Sequence, residues 1–193
     1  MTDKGKLIII SAPSGCGKST IIGDIMDRGQ LDLQFSVSAT NRKPREGEVD
    51  GVNYHFLTDQ QFKDLIADGA FVEYEQVYPG RFYGTLRSEV ERIWADGHVI
   101  VFDVDVIGGL NLRRIFGDDA CAVFIMPPSV EELRRRLESR GTDAPEVIDR
   151  RVAKAEFELT KAQGFDHIVL NDRLDEAIEE TACILENFIG IQR

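Results

Sequence analysis

A run of small and turn-forming residues near the start of the chain ends in a lysine and two hydroxyl side chains. The run is Ala12-Pro13-Ser14-Gly15-Cys16-Gly17-Lys18-Ser19-Thr20. It matches the phosphate-binding pattern G-x-x-x-x-G-K-[ST], with an alanine at the first glycine. In such a loop the backbone N–H groups turn inward, the lysine reaches the β- and γ-phosphates, and the hydroxyl binds Mg²⁺. We therefore predict that this loop holds a phosphate chain and its magnesium ion.

The segments on either side of the loop support this prediction. Residues 7–10 form an apolar run typical of a buried strand, and Ile21, Ile22, Ile25 and Met26 recur afterwards at helical spacing. A loop between a strand and a helix places the partial positive charge of the helix N-terminus beside the phosphates. The structural alternative is a plain strand-to-helix turn, and the match on both flanks argues against it.

Two arginines in the next segment could bind a second phosphate. Arg42 and Arg45 lie three residues apart around Pro44, and their guanidinium groups can each donate paired hydrogen bonds to phosphate oxygens. Two ordinary surface arginines would give the same pattern. The spacing by itself leaves both interpretations open.

A second concentration of arginines lies further along this acidic chain. Arg136 and Arg140 are i,i+4 neighbours ahead of Gly141, so one helix face could present both guanidinium groups to one phosphate chain. We interpret Arg134 and Arg135 as part of a solvated helix face, because glutamates stand at pairing distance along the same helix.

Two aspartates follow the apolar segment 99–102. Side chains alternate along a strand, so Asp103 and Asp105 point to the same side. The carboxyl end of a parallel strand is where such folds bind ligands. Asp103 could act on Mg²⁺ through water, whereas Asp105 could equally cap the next helix.

Composition and charge limit the kinds of protein this can be. The chain has 193 residues, of which 42% are apolar and 30% charged, as expected for one globular domain with a sizeable core. Its formal net charge of −11 argues against broad attraction to nucleic acid or anionic lipid, because that attraction needs basic surface. We expect no nucleic-acid partner and no membrane partner, and the sequence leaves a homo-oligomer open.

The cysteines and the apolar runs indicate a cytoplasmic protein. Cys16, Cys121 and Cys183 are odd in number and widely spaced, which suggests neither a disulfide framework nor a zinc site. The first apolar run is too short for a signal peptide, and no run approaches the ~20 residues of a membrane span. Both features favour a reducing compartment.

Apolar runs and helical segments alternate along most of the chain. Strands are predicted at residues 7–10, 98–104, 120–126 and 167–170, and helices at about 18–28, 88–95, 130–139, 145–163 and 174–189. Because uninterrupted apolar runs fit strands buried on both faces, this order predicts an α/β fold whose parallel sheet is flanked by helices.

The region from about residue 35 to 86 departs from that rhythm. Its short segments at 35–38, 53–56, 71–74 and 81–83 alternate apolar and polar residues between glycines and prolines. Together with a predicted helix at 59–68, they indicate a small mixed or antiparallel insertion. We find no internal repeat and no linker between independent domains.

The chain resembles the guanylate kinases, from about Lys6 to near Asn187. The resemblance rests on the phosphate loop and on FSVSATNRKPREGE (35–48), GVNYHF (51–56), FVEY (71–74), YGT (83–85), DVD (103–105), PPS (127–129), RLESRGT (136–142) and VLND (169–172). The combination and order of these motifs are far more specific than the phosphate loop alone.

The resemblance implies a single domain over residues 1–193 that transfers phosphate from ATP to GMP, giving ADP and GDP. A P-loop core would span about 1–34, 88–133 and 153–193, a GMP-binding insertion about 35–87, and an arginine-rich helical lid about 134–152. The implied ligands are ATP, GMP and Mg²⁺, the metal being held by Ser19 and, through water, by Asp103.

The resemblance also assigns roles to individual residues. The implied GMP-binding residues are Arg42, Arg45, Tyr54 and Tyr83 for the phosphate, Ser38, Glu73 and Thr85 for guanine, and Asp103 and Asp105 beside them. The implied ATP-binding residues are Ala12 to Thr20 of the loop, Arg136, Arg140 and, near adenine, Asn171. The implied catalytic residues are Lys18, Arg45, Arg136, Arg140 and Arg151.

The chemistry of guanine agrees with these roles. Guanine carries N1–H and a 2-amino group as adjacent donors, which one carboxylate such as Glu73 can accept together, while hydroxyls can donate to O6. Adenine lacks both donors at those positions, so a desolvated Glu73 would be left unpaired at a cost of ~1–3 kcal/mol.

Three departures from the family pattern affect loop geometry more than the reaction. Val106-Ile107-Gly108-Gly109 stands where the family commonly has an aromatic residue and a glutamine, Ala12 replaces a glycine, and the turn at residues 78–81 is longer than the usual turn.

Two alternative functions remain at this point: a catalytically inactive, peptide-binding module of the same fold, or a kinase of another small phosphorylated acceptor.

Overall fold

The parallel sheet is the centre of the computed structural model, which describes residues 5–141 and 143–190. Five strands lie in the order β2-β7-β1-β8-β9, and every neighbouring pair is parallel. Their bounds are β1 Leu7–Ser11, β2 Leu33–Phe35, β7 Val99–Asp103, β8 Ala120–Met126 and β9 His167–Leu170. The predicted α/β class is confirmed.

Helices cover both faces of this sheet because its strands are apolar on both sides. Alternate residues of β1 separate into two cores: Ile8 and Ile10 pack on one face, and Leu7 and Ile9 on the other. The first core contains apolar residues of α1 Lys18–Asp27, α5 Val130–Ser139, α6 Pro145–Leu159 and α7 Leu174–Ile189. The second contains those of α3 Arg87–Ala95 and α4 Val106–Phe116.

A smaller mixed sheet is built from the predicted insertion. Its order is β4-β3-β6-β5, with β3 parallel to β4 and antiparallel to β6. The bounds are β3 Ala39–Thr40, β4 His55–Phe56, β5 Phe71–Tyr78 and β6 Arg81–Leu86, with α2 Asp59–Ala67 packed against them. The hairpin between β5 and β6 turns in two residues, Pro79 and Gly80, the latter with a φ of 72°.

Three details of the sequence prediction need correction. The predicted strand at 35–38 is wrong apart from Phe35: Leu33–Phe35 pairs with β7 at the edge of the parallel sheet, residues 36–38 lie between strands, and the second sheet begins at Ala39. Helix α4 was not predicted, since Gly108 and Gly109 are poor helix formers. The helix predicted at 145–163 ends at Leu159, where the chain crosses from one core to the other to bury Phe165.

Gly109 shows why α4, the helix that was not predicted, needs a glycine where it approaches β1. A Cβ at this position would lie 2.5 Å from Ser11 Oγ and 3.3 Å from Ile9 Cγ2. Glycine therefore lets α4 lie directly against β1, which overrides its low helix propensity. This close approach fixes the segment that follows Asp103 and Asp105.

The division into core, insertion and lid stays a prediction, and Thr142 of the RLESRGT motif lies outside the described residues. No helix within residues 5–141 and 143–190 combines the length and apolar character needed to cross a membrane.

We expect the small sheet to depend on Phe62. Its ring stacks on Phe71 at 4.5 Å and lies 5.6 Å from Phe82, and its side chain is 1% exposed. Phe62→Ala should lower the free energy of unfolding by about 3–5 kcal/mol, because it leaves a cavity. Urea unfolding measures this, with the exposed Phe157→Ala as a control expected to change stability by less than about 1 kcal/mol. Equal effects of the two substitutions would contradict the prediction.

Candidate active site

A cleft of about 590 Å³ lies between the phosphate loop and the small sheet. All nine loop residues from Ala12 to Thr20 line it, together with the carboxyl end of β7 and residues of β5, β6 and α6. The cleft therefore brings together segments that are far apart in the sequence, at the edge of the parallel sheet where such folds bind ligands.

The loop has the backbone conformation that glycine permits. Gly15 and Gly17 have φ values of 99° and 83°, which other residues rarely adopt. In the described part of the chain no residue other than glycine has a positive φ. The backbone of Ala12 therefore does not adopt the left-handed conformation that favours glycine. Its presence at the first position of the pattern is thus compatible with the loop.

Lys18 lies at the first turn of α1 and points across to the neighbouring strand. Its ammonium pairs with the carboxylate of Asp103 and donates to the carbonyl oxygen of Val104 at 3.0 Å. Because β1 and β7 are adjacent and parallel, the loop after one strand meets the carboxylate that ends the other. The cation is thereby held inside the cleft.

Asn171 supports the loop from behind. Its side-chain amide donates to the carbonyl oxygen of Cys16 at 2.7 Å, and the residue is 4% exposed. A Cβ at Gly17 would lie 2.6 Å from Asn171 Nδ2. The structure therefore shows Asn171 fixing the loop, whereas its predicted contact with adenine remains a prediction.

Cys16 is a buried filler of this loop. Burial raises the pKa of its thiol to about 12, despite the nearby positive charges of Arg136 and Lys18. A thiol at a helix N-terminus can be a reactive thiolate, but this one stays protonated near neutral pH.

The side of the cleft formed by the small sheet contains a half-buried carboxyl. Glu73 lies on β5, and burial raises its pKa to about 7. The hydroxyl of Thr85, on the antiparallel neighbour β6, donates to Glu73 Oε1 at 3.0 Å and opposes this rise. Ser38, which precedes β3, lines the same space.

Arg42 is held by Glu48 and lies outside the cleft lining. Its two terminal nitrogens donate to the two carboxylate oxygens at 2.6 and 2.7 Å, and its guanidinium lies 4.9 Å from the Tyr54 ring centre. This bond lowers the pKa of Glu48 to about 2. Glu48 also accepts from the backbone N–H of Arg45. One carboxylate therefore binds both the side chain of Arg42 and the backbone at Arg45.

The arginines of the predicted lid differ in whether they line the cleft. Arg140 ends α5 and lines the cleft, whereas Arg136 is held by Glu132 at 2.8 Å and by the Asn171 carbonyl at 3.0 Å. Arg151 lies 3.4 Å from Ser14 Oγ of the phosphate loop.

The structure brings together most of the residues predicted from the sequence. Besides the loop, the predicted residues that line the cleft are Ser38, Arg45, Tyr54, Glu73, Tyr83, Asp103, Asp105 and Arg140. The predicted residues outside its lining, among those described, are Arg42, Thr85, Arg136, Arg151 and Asn171. Asp105 both lines the cleft and caps α4 by accepting from the Gly108 N–H at 2.8 Å, so both of its proposed roles are compatible.

Comparison with known proteins decides the family. The family model described as guanylate kinase matches residues 4–188. The chain belongs to the guanylate kinase family. A guanylate kinase of Bacteroides fragilis is 50% identical over 190 residues, covering 98% of this chain and 93% of the relative. One of Salinibacter ruber is 49% identical over 95% of this chain and 97% of the relative.

A solved structure agrees with the sequence comparisons. The crystal structure of guanylate kinase from Anaplasma phagocytophilum superposes with a TM-score of 0.74 at 28% identity. The match covers 95% of this chain and 85% of that one. The resemblance inferred from motifs is thereby confirmed, and the comparisons lend no support to the peptide-binding alternative.

Several residues of this guanylate kinase cleft were missed by sequence reasoning. They are Glu75, Val77, Gly84, Val104, Gly108, Lys154 and Glu158. Glu75 could have been found, because it lies two residues after Glu73 and thus on the same face of a strand. Lys154 and Glu158 gave no local signal, since a lysine and a glutamate four residues apart are common on exposed helices.

We expect the carboxyl of Glu73 to titrate near pH 7. Because its folded pKa of about 7 exceeds the ordinary 4.5, the protonated form contributes stability that is full below about pH 4.5 and lost as the pH rises through about 7. Glu73→Gln should remove this dependence. Carbon-13 NMR titration and urea unfolding at about pH 5 and about pH 8 test both statements.

The matched control is Glu91→Gln, which replaces an exposed glutamate of α3 and should leave the pH dependence as it is. A Glu73 carboxyl that titrates near its ordinary value would contradict the prediction.

Proposed function

We propose that this protein transfers a phosphoryl group from ATP to GMP, giving ADP and GDP, and that both nucleotides bind in the cleft described above. Membership of the guanylate kinase family supports the reaction. The observation that carries the assignment of the site is that the phosphate loop and the half-buried Glu73 line one continuous cleft.

The donor would bind at the phosphate loop. Its backbone N–H groups and Lys18 would surround the β- and γ-phosphates, and the N-terminus of α1 would add favourable potential. Lys18 must then exchange Asp103 for a phosphate oxygen, which keeps its charge paired in both states. Arg140 lines the same cleft and would meet the negative charge of the transferred group.

The acceptor would bind against the small sheet. Glu73 would accept from the guanine N1–H and 2-amino group, while the hydroxyls of Ser38 and Thr85 would face O6. Arg45, Tyr54 and Tyr83 would hold the phosphate, joined by Arg42 when it turns from Glu48. A phosphate oxygen of GMP is already an anionic nucleophile, so the reaction needs no side chain to remove a proton.

Magnesium fits the oxygen ligands that face the donor site. The Ser19 hydroxyl and the Asp103 carboxylate both line the cleft, and hard oxygen ligands are those that Mg²⁺ prefers. Ser19 would bind the ion directly and Asp103 through water. The ion, when bound, would neutralise charge on the β- and γ-phosphates. No cluster of three acidic, histidine or cysteine side chains among the described residues could hold a metal alone, and Mg²⁺ held largely by phosphates and water needs none.

The remaining proposals concern the surroundings of the enzyme. Three unpaired cysteines support a reducing, cytoplasmic location. The net charge of −11 argues against nucleic acid or an anionic membrane as a partner, because that attraction needs basic surface. Neither observation bears on the homo-oligomer that the sequence leaves open.

GMP-dependent turnover should depend on Lys18. In a coupled assay of ADP release, the wild-type protein should turn over with GMP and not comparably with AMP or CMP. Lys18→Ala should lower turnover by at least about 100-fold, because it removes a cation that stabilises the transferred group. Lys63→Ala, at an exposed lysine of α2, should leave turnover unchanged. Equal turnover with AMP would defeat the specificity, and no turnover with any nucleotide would favour a binding module.

Guanine recognition should depend on Glu73. Glu73→Gln should lower kcat/KM for GMP by about tenfold or more, because the amide cannot accept both guanine donors as a carboxylate does. The dissociation constant for ATP, measured by calorimetry, should change by less than about twofold. A variant with unaltered kcat/KM for GMP would show that Glu73 does not read the base.

A further inference from the structure

One face of α6 points towards the cleft, and it includes two residues, Lys154 and Glu158, to which the reaction as proposed assigns no role. Val147, Arg151, Lys154 and Glu158 follow one another at helical spacing and all line a second cavity, of about 610 Å³, between α6 and the hairpin of β5 and β6. Lys154 and Glu158 also line the nucleotide cleft. These two residues therefore lie where the two cavities meet.

Glu158 is a carboxyl buried where an apolar side chain could pack. It is 5% exposed, and burial raises its pKa, with Lys154 and Lys18 opposing the rise. Burying a carboxylate is unfavourable unless a partner compensates. Its Oε1 lies 3.3 Å from the ammonium of Lys154, one helical turn away. The position of Glu158 is thus explained by the cation that it holds.

Lys154 lies between the two halves of the cleft. One turn before it on α6, Arg151 reaches Ser14 of the phosphate loop at 3.4 Å. On the other side lies Glu75 of β5, two residues after Glu73, and both Glu75 and Lys154 line the cleft. Burial raises the pKa of Glu75, and the positive charge of Lys154 opposes that rise. In the proposed reaction, the phosphoryl group passes from the nucleotide at the phosphate loop to the nucleotide bound against the small sheet, which contains β5.

The charge of the cleft leaves a role for another cation. Its described lining includes the carboxylates Glu73, Glu75, Asp103, Asp105 and Glu158 and the cations Lys18, Arg45, Arg140 and Lys154. Two phosphorylated substrates would therefore enter a space that already has more acidic than basic side chains. Each cation in that lining affects how much phosphate charge the cleft can hold.

We propose that Lys154 is a further residue that contacts the transferred phosphoryl group, and that Glu158 is the positioning residue that fixes its ammonium. The inference rests on the proposed function and adds residues outside every motif on which the family resemblance rests. The ammonium donates hydrogen bonds to non-bridging phosphate oxygens and takes no part in bond making. Glu158 acts only through Lys154.

The test uses three substitutions in the full chain: Lys154→Gln, Glu158→Gln and the two combined. Lys154→Arg keeps the charge, and Lys63→Gln at an exposed site of α2 is the matched control for losing one positive charge. For each variant, kcat, KM for ATP and KM for GMP are measured, together with the thermal unfolding midpoint.

Lys154→Gln should lower kcat by about 10- to 100-fold, the range for losing a hydrogen bond to a charged group. Glu158→Gln should lower it by about three- to tenfold, and should change it by less than about twofold when Lys154 is already Gln. Lys154→Arg should keep most of the turnover, and Lys63→Gln all of it.

The combined variant separates a role in the reaction from a role in folding. Lys154→Gln leaves a buried carboxylate without its cation and should lower the unfolding midpoint, whereas the double variant should recover the midpoint but not kcat. Recovery of both would make the pair merely structural and overturn the proposal, as would wild-type kcat in Lys154→Gln. If the wild-type protein itself lacks GMP-dependent turnover, the proposed function is wrong. If the wild-type protein turns over and Lys154→Gln does so equally well, only the role proposed for Lys154 is wrong.

Discussion

The pairing of Lys18 with Asp103 depends on two adjacent parallel strands ending at the same edge of the sheet. Strand β1 leads into the phosphate loop and β7 into the acidic pair, with Ile10 opposite Asp103 in the register. Because both strands are buried on both faces, neither can slide without disrupting two cores. The rigid sheet therefore fixes the distance between the phosphate loop and the carboxylates, and the rest of the site is arranged around that distance.

Carboxylates hold most of the cations that we propose to contact phosphate in this acidic protein. The pairs are Lys18 with Asp103, Arg42 with Glu48, Arg136 with Glu132, Arg151 with Asp143 and Lys154 with Glu158. Each pair keeps a flexible side chain in one place and compensates its charge. Where a bound phosphate would replace the carboxylate, as proposed for Lys18 and Arg42, part of the attraction would be offset by the pair that is lost.

Much of the fold followed from local patterns. Strands β8 and β9 and helices α5 and α7 begin and end where apolar periodicity predicted them. Pattern reasoning failed at α4 and at β2, each for a tertiary reason. Gly109 is tolerated in α4 because it lets the helix approach Ser11 closely, and Leu33–Phe35 is a strand because β7 offers it a free edge. Neither partner is adjacent in the sequence, so no local window contains the information.

The sequence by itself indicated the chemistry and the family: a phosphate loop, two sets of arginines and a glutamate to which the family resemblance assigns guanine. Those features depend on residue types at short spacings along the chain, so they are visible in the sequence as motifs. Only the tertiary structure decided which side chains share the cleft, that Asn171 braces the loop, and that burial raises the pKa of Glu73 to about 7. It also revealed Lys154 and Glu158 beside the cleft. Burial and electrostatic environment come from segments far apart in the chain, and spacing along one segment cannot encode them.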